Sequence, residues 1–201
     1  MDFKRHLERA WNLTLGHLVI LVFMTLVMFA ISCLSLGILA PVTMAGYTQA
    51  ILLLVRDGRE PRIQDLFGQM NLFLPLLIFA LTVVVAIGVG MVLLVLPGIL
   101  VSLAVAFFCL YLLPLMTDRH LRLLDALRQS ARMAVDGVLM EHVVVAVLFF
   151  GITAIGGSVF IGSLFTQPFA TVFLMSVYLE RSADLPAEGI HGQTPMRPPG
   201  R

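Results

Sequence analysis

Six apolar segments without a charged residue constrain the fold of this chain more than any other feature. A transmembrane helix needs about 20 mostly apolar residues, because the hydrocarbon core offers no water to satisfy the backbone. Charged residues make up only 12% of the sequence, whereas soluble domains carry about 25%. We therefore predict an all-α, polytopic membrane protein of six spans, at about 11–34, 41–55, 72–96, 99–117, 143–157 and 161–179.

The charged residues lie in four segments between or beside these spans. All 13 Lys and Arg residues fall within 1–10, 56–65, 118–141 and 180–201, and the turns at 35–40, 96–98 and 156–162 carry no charge. Six spans arranged as three hairpins put the four charged segments on one side of the membrane. The excess of Lys and Arg on cytoplasmic loops then predicts a multi-pass protein of the bacterial inner membrane with both termini in the cytoplasm. The second and fifth segments are short, so we expect them either to tilt against neighbours or to be partly re-entrant.

Amphipathic stretches precede the three hairpins. Apolar residues recur at helical spacing within 3–11, 63–70 and 121–134, which predicts helices that lie in the membrane interface or dock under the bundle. We treat 1–181 as one membrane domain. The last segment, 182–201, is rich in Pro and Gly and poor in apolar residues, which predicts a disordered cytoplasmic tail.

The third charged segment supplies a candidate cytoplasmic interaction surface. Its members are Asp118, Arg122, Asp125, Arg128, Arg132 and His142. Charges at i,i+3 and i,i+4 spacing are typical of a solvated helix face, and the same face could also bind anionic headgroups or a protein partner. The histidine near the end of a span either bonds to backbone or water, or binds a phosphate or a metal.

A second candidate site lies inside the spans. Tyr47 and Gln49 belong to the second apolar segment, and Gln167 precedes Pro168 in the sixth. These side chains form either a polar pocket beside a kinked helix or ordinary hydrogen bonds between helices.

Several function classes are disfavoured by the residues that the sequence lacks. The spans contain no charged residue, which argues against ion-coupled transport through a carboxylate relay and against a voltage sensor. We find no Cys/His spacing typical of zinc, no phosphate-binding loop and no nucleophile elbow. We therefore expect no cofactor and no metal. The net charge of +1 gives no general attraction for nucleic acid.

A set of short motifs carries a resemblance to a known family. They are Gly46-Tyr47, Asp65-Leu66-Phe67, Leu96-Pro97-Gly98-Ile99, Asp118, the stretch from Asp125 to Ser130, His142, Pro168 and Tyr178. In order and spacing this set, over roughly 40–180, resembles a family of uncharacterised bacterial inner-membrane proteins that includes the YciC-type proteins. It is similar to the membrane domain of some glycerophosphodiester phosphodiesterases. The soluble phosphodiesterase domain has no counterpart in this sequence, so the resemblance implies a six-span protein with a lipid-related association and without that activity.

These patterns together favour a non-enzymatic membrane protein that acts in envelope or lipid homeostasis by binding lipids or a partner. The expected partners are membrane lipids and a protein, either a different one or a second copy of the chain. The alternative is a permease or flippase-like component for an uncharged or amphipathic solute. A membrane-bound enzyme would have to use Asp118, Arg122 and His142 as its cluster of functional groups.

Overall fold

The computed structural model describes residues 3–93, 95–135, 139–157 and 160–183. Within these ranges the secondary structure is helical and contains no strand, as the sequence predicted. The α-helices are α1 (Phe3–Gly16), α2 (Leu18–Leu34), α3 (Ala40–Asp57), α4 (Phe73–Leu93), α5 (Val95–Phe108), α6 (Leu112–Asp118), α7 (Leu123–Val135), α8 (Leu139–Gly157) and α9 (Phe160–Ala183). Two short 3₁₀ helices, Ile63–Phe67 and Met70–Leu72, lead into α4.

Four segments of the described chain are long and apolar enough to cross a membrane, which makes this an integral membrane protein. They are Ile63–Val92, Val95–Asp118, Met140–Gly157 and Gly162–Ala183. Helices α1 and α2 together would give a fifth, but their axes meet at 86°. Helix α2 alone has 17 residues, and α3 has polar residues at its centre and two charged residues at its end. Neither α2 nor α3 is therefore both long enough and apolar enough to cross a membrane by itself.

The second half of α9 forms the centre of the core. Helices α1, α2, α3 and α8 all contact α9, and its residues from Ala170 to Tyr178 are buried. Helix α1 lies antiparallel to α9, with His6 beside Ser176 and Glu180. Farther along, Trp11 packs edge-on against Phe165 and Phe169, with ring centroids 6.4 and 6.0 Å apart. The amphipathic N-terminal stretch is thus docked on a long apolar helix.

Helices α4 and α5 pack on each other and expose most of their large apolar side chains. Such surfaces are favourable where the surroundings are lipid tails or another apolar surface. The two helices meet closely, since a Cβ on Gly90 would lie 2.9 Å from the Cα of Gly98. The predicted turn at 96–98 is misplaced, because Pro97 and Gly98 belong to the first turns of α5. Proline is tolerated there because the first N–H groups of a helix have no helical partner.

Two other local predictions differ from the structure. The stretch 63–70 forms 3₁₀ turns, with Asp65 accepting hydrogen bonds from the Arg59 side chain and from the backbone N–H of Arg62. Its backbone lies against α3 so closely that a Cβ on Gly46 would be 2.4 Å from the carbonyl oxygen of Leu66. Helix α9 continues through Ser182 and Ala183, and the rest of the predicted tail, 184–201, lies outside the described residues.

Candidate functional site

The span that contains α5 and α6 is interrupted at residues 109–111. Pro114, one turn later, has no N–H to donate to the carbonyl of Leu110, and its ring crowds that carbonyl. The backbone N–H of Leu112 donates to Cys109 at 3.0 Å, not to Phe108 as a continuous helix would require. The interruption therefore leaves the carbonyls of Phe107 and Phe108 and the N–H of Tyr111 in need of other partners.

Two buried side chains supply those partners. The Ser130 hydroxyl of α7 donates to the carbonyl of Phe108 at 2.6 Å and accepts from the N–H of Tyr111 at 3.3 Å. The His142 Nε2 of α8 donates to the carbonyl of Phe107 at 3.0 Å. Both residues are 1% exposed. A broken helix is stable inside a membrane protein only where other groups satisfy its backbone, so these contacts hold α7 and α8 against the interruption.

Arg181 of α9 contacts the same two helices, α7 and α8. Its guanidinium donates to the carbonyl of Met133, in the last turn of α7, at 2.9 Å. It also lies 3.5 Å from Nδ1 of His142 and 3.9 Å from a carboxylate oxygen of Glu141. Because the carbonyl of Phe107 can only accept, Nε2 of His142 carries a proton, and Nδ1 is left to accept from Arg181. The arginine thus caps α7 and orients the imidazole.

Asp118 joins the ends of three helices. Its carboxylate accepts from the Arg56 guanidinium at the end of α3 and from the Tyr178 hydroxyl of α9, the latter at 3.2 Å. The adjacent Arg119 donates to the carbonyl of Ser182 at 2.9 Å. We call Asp118, Ser130, His142, Tyr178 and Arg181 the polar network, since they link α5 through α9 at the end of the bundle where α3, α6 and α9 terminate.

A second set of polar contacts attaches α1 to this end of the bundle. His6 Nδ1 lies 2.7 Å from the Ser176 hydroxyl, and Nε2 lies 2.5 Å from a carboxylate oxygen of Glu180. The order serine, histidine, carboxylate is also that of a catalytic triad. Ser176 is only 2% exposed, however, so a substrate has no access to its hydroxyl in this conformation. We interpret the contacts as a tether that keeps α1 on α9.

The structure divides the six predicted surface residues into two groups. Asp118 and His142 belong to the polar network, where their hydrogen-bonding atoms are engaged by protein groups. The other four, Arg122, Asp125, Arg128 and Arg132, are exposed. We call these four residues the α7 outer face. The buried face of α7 follows Ala126, Ser130, Met133 and Ala134, and Leu124, which the sequence placed on the apolar stripe, is 66% exposed.

The three predicted intramembrane residues have separate environments. The Tyr47 hydroxyl lies 3.0 Å from the Thr25 hydroxyl, and the Gln167 amide nitrogen lies 3.9 Å from the sulfur of Met44. The Gln49 carbonyl oxygen is buried without a hydrogen-bond partner among the described residues. No hydrogen bond joins any two of these three side chains, so the contacts do not bring them into one polar site.

The sequence did not indicate the roles of Ser130 and His6, whose hydrogen-bond partners lie far away along the chain. Ser130 sits in a stretch that is otherwise rich in charge, and His6 sits in a charged N-terminal segment. The signal that was available is Pro114, because a proline inside an apolar segment predicts an interruption one turn earlier. An interruption in turn requires nearby side chains that can bond to the freed backbone groups.

Within the described ranges, no group of three or more His, Cys, Asp and Glu residues is placed to hold a metal ion. No known protein family, curated protein or solved structure matches this chain.

Replacing Ser130 by Ala tests the role of the polar network in folding. The change leaves a buried carbonyl and a buried N–H without partners, which costs about 1–3 kcal/mol of stability. For a chain of this size we expect the melting temperature in detergent, followed by circular dichroism, to fall by several degrees. Ser102→Ala is the matched control, because the Ser102 hydroxyl only donates to Ile99 within its own helix. Equal melting temperatures for the two variants would contradict the assignment.

Proposed function

We propose that this protein is a six-span bacterial inner-membrane protein, with three helical hairpins and both termini in the cytoplasm. We propose further that it acts without catalysis, in envelope or lipid homeostasis, by binding lipids or a partner protein. In this account α2 and α3 are spans that cross the membrane only in contact with their neighbours. The resemblance to uncharacterised inner-membrane proteins supports the proposal, and Asp118, Ser130, His142 and Tyr178, which contribute to that resemblance, all belong to the polar network.

The observation that carries the proposal is the charge of the α7 outer face. The third charged segment contains as many acidic as basic residues, which by itself predicts little attraction for anionic lipids. In the structure, however, Asp118 is paired with Arg56, and Glu141 lies near Arg181. Among the described residues, the exposed face therefore presents three arginines, at 122, 128 and 132, and one aspartate, at 125. The fourth acid of the segment, Asp136, lies outside the described residues.

Such a face is suited to anionic headgroups or an acidic protein surface. Basic residues at the cytoplasmic membrane surface attract anionic lipid by about 1 kcal/mol each. Helix α7 follows directly after a span, and its opposite face is buried against the bundle. Arg128 and Arg132 are thus held on a fixed helix, and Arg122 immediately precedes it, near the end of a transmembrane segment where lipid phosphates would lie.

Native mass spectrometry of the purified protein tests this proposal. The protein is extracted in a mild detergent from membranes that contain phosphatidylglycerol and cardiolipin, and bound lipid and bound protein are counted. We expect retained anionic lipid on the native chain. The R122Q/R128Q/R132Q variant should retain at least tenfold less, because three attractive charges are lost.

The matched control removes three basic residues from elsewhere in the chain. K4Q/R5Q/R62Q has the same change in net charge, and its members are exposed residues outside α7. Retention by this control should equal that of the native chain. A native chain that retains neither anionic lipid nor a protein partner would refute the proposal, and equal losses in both triple variants would remove the role of α7.

One observation favours a second candidate, a transporter component for an uncharged or amphipathic solute. The carbonyl oxygen of Gln49 is buried near the middle of α3 and has no hydrogen-bond partner among the described residues. A buried polar group without a partner costs free energy, which a passing polar solute or a water molecule would recover.

Cysteine labelling distinguishes this second candidate. Cys33 and Cys109 are first replaced by Ala, and Gln49→Cys and Ala50→Cys are then treated with a membrane-impermeant maleimide. A solute pathway that reaches Gln49 predicts labelling at 49 but not at 50, because Ala50 is fully packed in the core. Absence of labelling at both positions would exclude an aqueous pathway to Gln49.

A further inference from the structure

A groove lies where the chain bends sharply between α1 and α2. It has a volume of about 460 Å³ and is lined by residues of the bend and by two residues of the loop after α3, among them Gly16, His17, Val19, Phe23, Glu60 and Pro61. The volume falls within the range of small-ligand sites, roughly 300–1,000 Å³. Nothing lies within 4 Å of the position that a Cβ on Gly16 would occupy, so the absence of a side chain there keeps the groove open.

One wall of the groove continues onto the apolar surface of α2. Val19 is 84% exposed and Phe23 is 48% exposed, and both belong to the first turns of a helix that is mostly apolar and has no charged residue. The preceding helix, α1, carries four charged residues. The groove therefore lies at the change from charged to apolar chain, which is where the headgroup region of a membrane meets the acyl chains.

The polar side of the groove presents hydrogen-bond acceptors. Glu60 is exposed and forms no ion pair among the described residues, since the neighbouring Arg59 donates to Asp65 at 2.7 Å. His17 donates from Nδ1 to the carbonyl of Leu13 at 3.2 Å, so its Nε2 is left as an acceptor on the neutral ring. A carboxylate and an imidazole nitrogen together fit a cation that carries several N–H donors.

We propose that this groove binds a phospholipid whose headgroup ends in a primary ammonium group, such as phosphatidylethanolamine. The ammonium group donates charge-assisted hydrogen bonds to Glu60 and a further one to His17, and an acyl chain lies along Val19 and Phe23. A trimethylammonium headgroup has no N–H to donate, and an anionic headgroup is repelled by Glu60. The site is therefore distinct from the α7 outer face in both position and lipid preference.

Two variants test the two halves of this site. E60Q removes the negative charge and keeps the size of the side chain. G16L fills the groove, and no atom lies close enough to the Gly16 Cβ position to force a clash at that carbon. Their controls are E8Q, an exposed acid on α1 that pairs with Lys4, and G151L, a change in α8 at a position with equally open surroundings.

The full chain is reconstituted in vesicles of equal parts phosphatidylethanolamine, phosphatidylcholine and phosphatidylglycerol, and is then extracted and analysed by native mass spectrometry. We expect the native chain, E8Q and G151L to retain phosphatidylethanolamine over phosphatidylcholine by about tenfold. E60Q should lose this preference, G16L should lose the bound lipid, and both should keep the phosphatidylglycerol that depends on the α7 arginines.

Equal retention of the ethanolamine and choline lipids by the native chain would overturn the inference. A preference that persists in either E60Q or G16L would do the same. The same experiment measures phosphatidylglycerol bound at the α7 outer face independently. A failure of this inference is therefore distinguishable from a failure of the proposed function.

Discussion

The interruption of one transmembrane segment before Pro114 is the constraint on which the polar end of this protein depends. Among the backbone groups that it frees, Ser130 and His142 satisfy the carbonyls of Phe107 and Phe108 and the N–H of Tyr111. A serine that bonds to both sides of the interruption must be held within about 3 Å of each. Helix α7 is thereby fixed to the end of the span, and its exposed face takes a defined orientation.

The charges at this end of the bundle serve two purposes. Those that face inward, such as Asp118 and Arg181, are paired with side chains or with backbone carbonyls at helix ends. Those that face outward on α7 have an excess of arginine. Among the described residues, this separation leaves an excess of arginine on the α7 outer face, which supports the proposed binding of anionic headgroups.

The sequence predicted an all-helical membrane protein, and four of its segments are long and apolar enough to cross a membrane. The predicted first span, 11–34, is divided by an 86° bend between α1 and α2, and the contacts between helices were predicted poorly. Apolar segments of the right length identify spans because bilayer thickness fixes that length. Pro97 and Pro114 are each the third residue of a helix, α5 and α6, because a proline lacks the N–H that a preceding helical turn would require and is tolerated in a first turn. The sequence allowed a hydrogen bond from His142 to the backbone, but it did not identify the acceptor, which is a carbonyl 35 residues away in the chain. Spacing along one helix contains no information about such distant partners.

Amide hydrogen exchange at Tyr111 tests the central claim most directly. Its N–H has no helical acceptor, and its partner is the Ser130 hydroxyl at 3.3 Å. We expect this amide to be protected in the native chain and to exchange at least tenfold faster in S130A, while amides early in α5 are unchanged. Exchange of the native Tyr111 amide as fast as that of an exposed turn, or protection that S130A does not alter, would contradict the account.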